Sequence, residues 1–140
     1  MIHRDGFGKR KVIDMMILIS TIDHSKQRYD TCGDWQWNKY GNLSITVSDM
    51  KDWRYNFLVG FHELIEVMLC RARGVTQEQV DDFDKEYEAR RLPEDTTSEP
   101  GDSILAPYHK EHIFATKLEQ LMAEELGVDW NMYENKINSL

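Results

Sequence analysis

The chain has little of several features that would direct its interpretation at once. Only two cysteines, Cys32 and Cys70, occur in 140 residues, which excludes a disulfide framework and favours a reducing, cytoplasmic location. Acidic residues outnumber basic ones, 25 to 17, for a formal net charge of −8. This balance argues against binding nucleic acid through its phosphates, which requires clustered Lys and Arg. It leaves a protein or peptide partner open, and nothing in the sequence indicates an oligomeric state.

The sequence also lacks a hydrophobic run long enough to span a membrane. The best candidate, residues 12–22, follows three basic residues but contains Asp14 and lacks a small-residue cleavage site. It is therefore interpreted as a buried strand and not as a signal peptide or membrane anchor. Hydrophobic residues make up 41% and charged residues 30% of the chain, which is typical of a globular protein with one core. We expect a single domain over residues 1–140, preceded by a flexible arm at residues 1–9.

Turn and capping signals predict an α+β fold. Residues 35–38 and 43–47 alternate apolar and polar side chains on either side of Gly41, which is typical of a hairpin. Three helices are predicted: one at residues 51–73, one that begins at the capping box of Thr76 and Gln79, and one at residues 107–126. Residues 128–140 are expected to form a short packed tail or final turn. A long loop at residues 93–106 separates the last two helices. We expect a small two- or three-stranded sheet packed against about three helices.

An apolar helix around residue 62 carries three polar side chains. His62, Glu63 and Glu66 lie among residues that are apolar on almost every helix face, which is typical of a buried helix. Because His62 and Glu66 are four residues apart, they lie one above the other. Buried imidazole and carboxylate groups are unfavourable unless they are paired or bind a metal. The pattern indicates a divalent metal ion, although a polar core in which these groups bond one another, or an exposed face, would leave the same pattern.

The same residues differ at one position from the zinc motif His-Glu-x-x-His. In that motif two histidines bind zinc and the glutamate acts as general base. Here Glu66 stands at the second histidine position, and a carboxylate is itself a zinc ligand. The added negative charge widens the choice of metal toward manganese or iron. We expect one divalent ion, zinc before manganese or iron, with Glu63 as the catalytic base and no site for an organic cofactor.

The last long helix supplies the other candidate ligands. By the 3.6-residue period His112 and Glu119 are nearly in line, whereas His109 lies further toward solvent. His112 would complete a three-ligand set with His62 and Glu66, while Glu119 would orient His112 or act as a fourth ligand, with His109 as the other alternative. The competing interpretation is that His112 is structural. The buried arc predicted for this helix contains Phe114, Ala115, Leu118, Leu121, Met122 and Leu126.

These motifs resemble known families. The helix containing His62-Glu-Leu-Ile-Glu66, after the strand at residues 43–47, is similar to the active-site helix of zincin-type metallopeptidases. It also resembles small phage and prophage proteins, in which such a helix is followed by Pro-Gly-Asp and by Pro-Tyr with a later histidine, as at residues 100–102 and 107–112 here. The resemblance covers about residues 43–130. It implies a minimal zincin-like fold and a metallopeptidase-like activity, while the phage-type pattern implies no particular activity.

Two functions fit these observations, and a third fits them less well. The first is a metal-dependent hydrolase, such as a peptidase, in which Glu63 accepts a proton from water. The second is a non-catalytic, phage-type protein in which the metal or the buried His and Glu cluster is structural and the acidic surface binds a partner protein. The third, a di-metal carboxylate protein, requires Glu-x-x-His on two helices, which this chain lacks. The sequence leaves open whether the protein is an enzyme, and it identifies no substrate.

Overall fold

The computed structural model describes residues 15–140 and, before them, two short strands that pair antiparallel, β1 (His3–Arg4) and β2 (Arg10–Lys11). The arm predicted for residues 1–9 lies outside the described residues except for β1. Over residues 15–140 the fold is α+β, with a three-stranded sheet packed against helices. The predicted fold class is therefore confirmed.

The sheet is built around one buried central strand. Its three strands are β3 (Ile17–Ile22), β4 (Gly33–Trp37) and β5 (Leu43–Ser48). β5 lies in the middle, parallel to β3 and antiparallel to β4. Alternation along β5 puts Leu43, Ile45 and Val47 in the core, none of them more than 1% exposed. The predicted hairpin between β4 and β5 is confirmed, and Gly41 in its turn has φ 77°, a left-handed conformation that glycine adopts without strain.

The strand predicted within residues 12–22 is present over Ile17–Ile22, but the prediction that it is buried is wrong. β3 begins at Ile17, and residues 12–14 lie outside the described part of the chain. Ile17, Leu18 and Ile19 are between 41% and 54% exposed, because β3 lies at an edge of the sheet and has β5 as its one neighbour there. An apolar run indicates a strand but does not distinguish an edge strand from a central one.

Four α-helices follow the sheet in residues 49–140. They are α1 (Trp53–Arg73), α2 (Gln77–Ala89), α3 (His109–Glu125) and α4 (Trp130–Asn138). Asp52 caps the start of α1, and Gly74 ends it at φ 74°. The predicted capping box of Thr76 and Gln79 opens α2. α4 takes the place of the predicted short tail and brings Tyr133 fully into the core.

Helix α1 packs against both the sheet and α3, and these contacts form the centre of the fold. Every residue from 58 to 70 is buried or half-buried, so the predicted burial of this helix on most of its faces is confirmed. The buried arc predicted for α3 is wrong at Phe114 and Leu121, which are 47% and 59% exposed. The buried side of α3 carries Ala115 and Ala123 together with three polar residues.

The chain between α2 and α3 is irregular, apart from a 3-10 turn at Pro100–Asp102. Arg91 anchors the first part of this loop. Its guanidinium donates to the Glu88 carboxylate at 2.7 Å and to the Ser98 carbonyl at 2.7 Å, and the Tyr87 hydroxyl donates to Ser98 Oγ at 2.6 Å. The loop is thereby fixed to the end of α2, and its 3-10 turn packs against α2 and α3.

Candidate metal centre

Three side-chain atoms converge at the contact between α1 and α3. His62 Nε2 lies 3.1 Å from Glu66 Oε2 and 3.2 Å from His112 Nδ1, and the last two atoms are 3.0 Å apart. We call these three atoms the triangle. The residues are only 7%, 4% and 6% exposed, respectively. One turn of helix separates His62 from Glu66, which is why both reach the same point.

The triangle has the size of one triangular face of a metal coordination polyhedron. If an ion lay about 2.1 Å from each atom, separations near 3.1 Å would correspond to ligand–metal–ligand angles of about 95°. This value lies between the octahedral angle of about 90° and the tetrahedral angle of about 109°. Two imidazole nitrogens and one carboxylate oxygen are a donor set for zinc, manganese or iron. Such a set leaves the opposite side of an ion free.

A carboxylate behind His62 determines which of its nitrogens carries hydrogen. His62 Nδ1 donates to Glu119 Oε1 at 2.7 Å, and the Tyr133 hydroxyl from α4 donates to Glu119 Oε2 at 2.6 Å. With its hydrogen on Nδ1, the neutral imidazole has a lone pair on Nε2, the atom in the triangle. A hydrogen-bonded carboxylate behind a histidine is the usual arrangement around a metal ligand.

The loop before α3 orients His112 in the same way. His112 Nε2 lies 3.1 Å from Asp102 Oδ1 and 3.3 Å from Glu99 Oε2, so donation to these carboxylates leaves the Nδ1 lone pair in the triangle. Gly101 makes this approach possible, since a Cβ at that position would be 2.4 Å from His112 Cγ. Only a residue without a side chain lets the loop come this close to the imidazole.

Glu66 likewise places one carboxylate oxygen in the triangle, while its other oxygen accepts a hydrogen bond outside the triangle. The indole Nε1 of Trp35, on β4, donates to Glu66 Oε1 at 3.2 Å, which leaves Oε2 facing His62 and His112. When both imidazoles are neutral, three acceptor atoms therefore meet about 3 Å apart, with each residue's second polar atom already paired. Such atoms repel one another unless a proton or a cation lies between them.

The electrostatics of the triangle favour positive charge. Burial alone would raise the pKa of Glu66, but hydrogen bonds with His112 and His62 lower it to about 2. Burial alone would lower the pKa of His112, but hydrogen bonds with Asp102, Glu66 and Glu99 raise it to about 12. The pKa of His62 is likewise raised well above its usual value, by Glu119 and Glu66 acting against burial. The site thus stabilises positive charge, carried either by protons on the imidazoles or by a metal cation.

Glu63 lies beside the triangle but is not part of it. Its side chain is half-buried and packs against β4 at Gly33, where a Cβ would be 2.8 Å from Glu63 Oε1. Burial and the negative charge of Glu66 raise the pKa of Glu63 well above its usual value, while His62 and His112 act in the opposite direction. Burial beside a negative charge makes the ionised carboxylate of Glu63 a stronger base than a solvated one.

The triangle and Glu63 line a cleft of about 500 Å³, a volume typical of ligand-binding pockets. Its walls come from β4, from the four α-helices, from the connection between β3 and β4 and from the loop between α2 and α3. Ten of the lining residues are Asp or Glu and one is Arg, so the potential in the cleft favours cations over anions. One of these acids, Asp84, accepts hydrogen bonds from Tyr108 at 2.5 Å and from Tyr29 at 3.2 Å.

The structure brings together most, but not all, of the residues predicted from the sequence. His62, Glu66 and His112 converge as expected. Glu119 is buried beside them but pairs with His62 and Tyr133, whereas the sequence predicted that it would orient His112 or act as a fourth ligand. His109 is not in the group, because its Nδ1 donates to the Gly101 carbonyl at 2.9 Å.

The aromatic and loop residues that orient the ligands could not be predicted from the sequence. Trp35 and Tyr133 carry no signal in the sequence, because an aromatic residue in a strand or a tail is ordinarily part of the core. Asp102 belongs to the Pro-Gly-Asp segment already noted in the resemblance, but nothing in its spacing indicates contact with His112. Glu99 was noted only as part of the long loop.

Comparison of the chain with protein-family models, with curated proteins and with solved structures finds no match. Within the residues that the structure describes, no helix has the length and apolar character needed to cross a membrane.

Proposed function

We propose that this protein is a metal-dependent hydrolase of the minimal metallopeptidase type, with His62, Glu66 and His112 as metal ligands. The observation that supports this most strongly is the convergence of three acceptor atoms within 3.0–3.2 Å, each on a residue whose other polar atom is already paired. Zinc is the expected ion, with manganese or iron as alternatives, because a carboxylate replaces one imidazole of the usual zinc motif.

Glu63 is the proposed general base. A divalent ion in the triangle would polarise a substrate carbonyl and lower the pKa of a water molecule. Glu63 follows a ligand on the same helix, lines the same cleft and holds a carboxylate with a raised pKa. Its part is to accept a proton from water and to pass that proton to the leaving group. A peptide or another amide is the proposed substrate class.

The substitutions Glu63→Gln and Glu66→Gln separate the two carboxylate roles on one helix. Glu63→Gln keeps size and hydrogen bonding but removes the basic oxygen, so we expect metal content and thermal stability to stay close to wild type while hydrolysis is lost. Glu66→Gln should lose metal, because a neutral amide is a much weaker ligand. The measurements are metal content, thermal unfolding and cleavage of a broad peptide library.

Two results would argue against a catalytic Glu63. One is unfolding of Glu63→Gln as severe as that of His62→Ala, which would make Glu63 structural. The other is retention of hydrolysis by Glu63→Gln, which would place the base elsewhere.

A non-catalytic, phage-type protein is the alternative function. It is supported by the depth of the triangle and by the chain of contacts from His62 through Glu119 to Tyr133, which joins α1, α3 and α4. In that case the metal or the polar cluster holds the helices together and the acidic surface binds a partner protein. Tight metal binding by wild type without cleavage across the peptide library would favour this alternative.

A further inference from the structure

We propose that Trp35 makes Glu66 bind the metal through a single oxygen and so keeps one coordination position open for water or substrate. This inference rests on the proposed function, because it concerns how the ion is held. It assigns Trp35 as a positioning residue, which acts on the ion only through Glu66.

The contacts of Glu66 divide cleanly between its two oxygens. Oε2 is 3.1 Å from His62 Nε2 and 3.0 Å from His112 Nδ1. Oε1 accepts the indole N–H of Trp35 at 3.2 Å. Trp35 is 4% exposed, so no solvent competes for this hydrogen bond. The carboxylate is thereby turned with one oxygen toward the triangle and the other toward β4.

Removing the indole N–H would leave Glu66 Oε1 buried without a donor. An unpaired buried carboxylate oxygen is unfavourable, and an ion at the triangle is the closest positive charge available to it. The carboxylate should then rotate and bind through both oxygens. This adds one protein ligand to the ion, which together with its bound water then has five ligands and no open position for substrate.

Trp37 provides a matched control on the same strand. Two residues after Trp35 on β4, it lies on the same face of the sheet. Its ring lies against the guanidinium of Arg71 at 4.7 Å, away from the triangle. Trp37→Phe therefore removes the same atoms from the same strand without touching the hydrogen bond to Glu66.

The experiment replaces the native ion with Co²⁺, whose visible absorption weakens as its coordination number rises. Wild type, Trp35→Phe and Trp37→Phe are each loaded with one equivalent. We expect wild type and Trp37→Phe to give the strong bands of a four-coordinate ion. Trp35→Phe should keep one equivalent of Co²⁺ but lose intensity by roughly two-fold or more, as a fifth ligand binds.

Identical spectra for Trp35→Phe and wild type would overturn the inference while leaving the metal site intact. A wild type that takes up no Co²⁺ would contradict the proposed function itself, and the inference with it. An equal loss of intensity in Trp37→Phe would also overturn it, since the effect would then be a general one of repacking β4.

A measurement on wild type alone covers the case in which Trp35→Phe does not fold. The infrared difference spectrum between zinc-loaded and zinc-free protein, with ¹³C-labelled glutamate, reports the two stretching bands of the bound carboxylate. A wide separation of the bands is expected for binding through one oxygen. A narrow separation, as for binding through both oxygens, would overturn the inference.

Discussion

Two of the buried carboxylates, those of Glu66 and Asp84, have different neighbours. Glu66 is surrounded by two imidazoles, and its pKa is lowered to about 2 by their hydrogen bonds, against the effect of burial. Asp84 is surrounded by the hydroxyls of Tyr29 and Tyr108, and burial raises its pKa to about 7 in spite of those hydrogen bonds. Both carboxylates are less than 10% exposed, so burial alone does not separate them.

The two carboxylates differ in the chemistry of the side chains that contact them. An imidazole takes up a proton or lends a lone pair to a metal ion, so the surroundings of Glu66 accommodate a cation in either form. A phenol only donates a hydrogen bond near neutral pH, so the negative charge of Asp84 stays uncompensated. The first arrangement is suited to bind a metal, whereas the second joins the β3–β4 connection to α2 and to the start of α3.

The largest effect should come from removing an imidazole beside Glu66. His62→Ala leaves the carboxylates of Glu66 and Glu119 buried without this partner, and we expect a loss of about 3–5 kcal/mol in the free energy of unfolding. Metal binding should be lost as well, because the ion contributes to folding free energy. Chemical denaturation with and without zinc, together with elemental analysis, measures both effects.

His109→Ala is the matched control for His62→Ala. It removes an imidazole that donates only to the Gly101 carbonyl, so a loss of about 1 kcal/mol is expected and metal content should not change. If His62→Ala retained its metal and unfolded like His109→Ala, the imidazoles beside Glu66 would have no special role in metal binding or stability, and the contrast with Asp84 would not explain function.

The second-largest effect is expected for substitution of Asp84, and it should increase the free energy of unfolding instead of lowering it. Its pKa is raised to about 7 in the folded protein, against about 3.9 for an unfolded chain. The unfolded state therefore releases the proton first as pH rises, and the stability associated with neutral Asp84 is lost between about pH 4 and pH 7. We expect Asp84→Asn to unfold like wild type at pH 4 and to be more stable at pH 8, by on the order of 3 kcal/mol.

Unfolding by urea at several pH values checks this prediction. Asp82→Asn makes the same chemical change at an exposed position on α2 and should show no such pH-dependent gain. A variant Asp84→Asn that is less stable than wild type at pH 8 would mean that the ionised carboxylate is well solvated or paired in the fold.

The two helices that form the triangle differ in how well the sequence predicts their buried polar residues. In α1 the polar residues His62 and Glu66 interrupt an apolar helix, so they stand out as buried groups that need a partner. In α3 the polar residues lie on the buried side while Phe114 and Leu121 are exposed. The hydrophobic pattern therefore predicts the wrong side of this helix as the buried one. Periodicity assumes that core positions are apolar, and a buried polar site breaks that assumption.

The residues that orient the ligands could not be predicted from the sequence, for a different reason. Trp35 reaches Glu66 from β4, and Asp102 reaches His112 from a loop whose path depends on Arg91 and on the close approach at Gly101. These are long-range contacts that no local spacing encodes. The hairpin of β4 and β5, the capping box of α2 and the end of α1 at Gly74, in contrast, depend on local backbone chemistry and follow from the sequence.

The smallest expected effect is that of the hydrogen bond furthest from the triangle. Tyr133→Phe removes the donor to Glu119 Oε2, which should lower stability by about 1.5 kcal/mol and weaken metal affinity by roughly ten-fold. Competition with a chromogenic chelator measures the affinity. Tyr55→Phe, whose ring packs against Tyr133 at 5.2 Å, is the control and should leave the affinity unchanged; an equal loss in both variants would show that packing, and not the hydrogen bond, matters.

The number of metal ions per folded chain tests the central claim most directly. Wild type and His112→Ala are equilibrated with zinc at neutral pH, freed of excess ion and analysed for metal and protein. We predict one zinc ion per chain for wild type and none for His112→Ala, since the variant keeps only two atoms of the triangle. A wild type that retains no metal, or a His112→Ala variant that retains as much as wild type, would contradict the account.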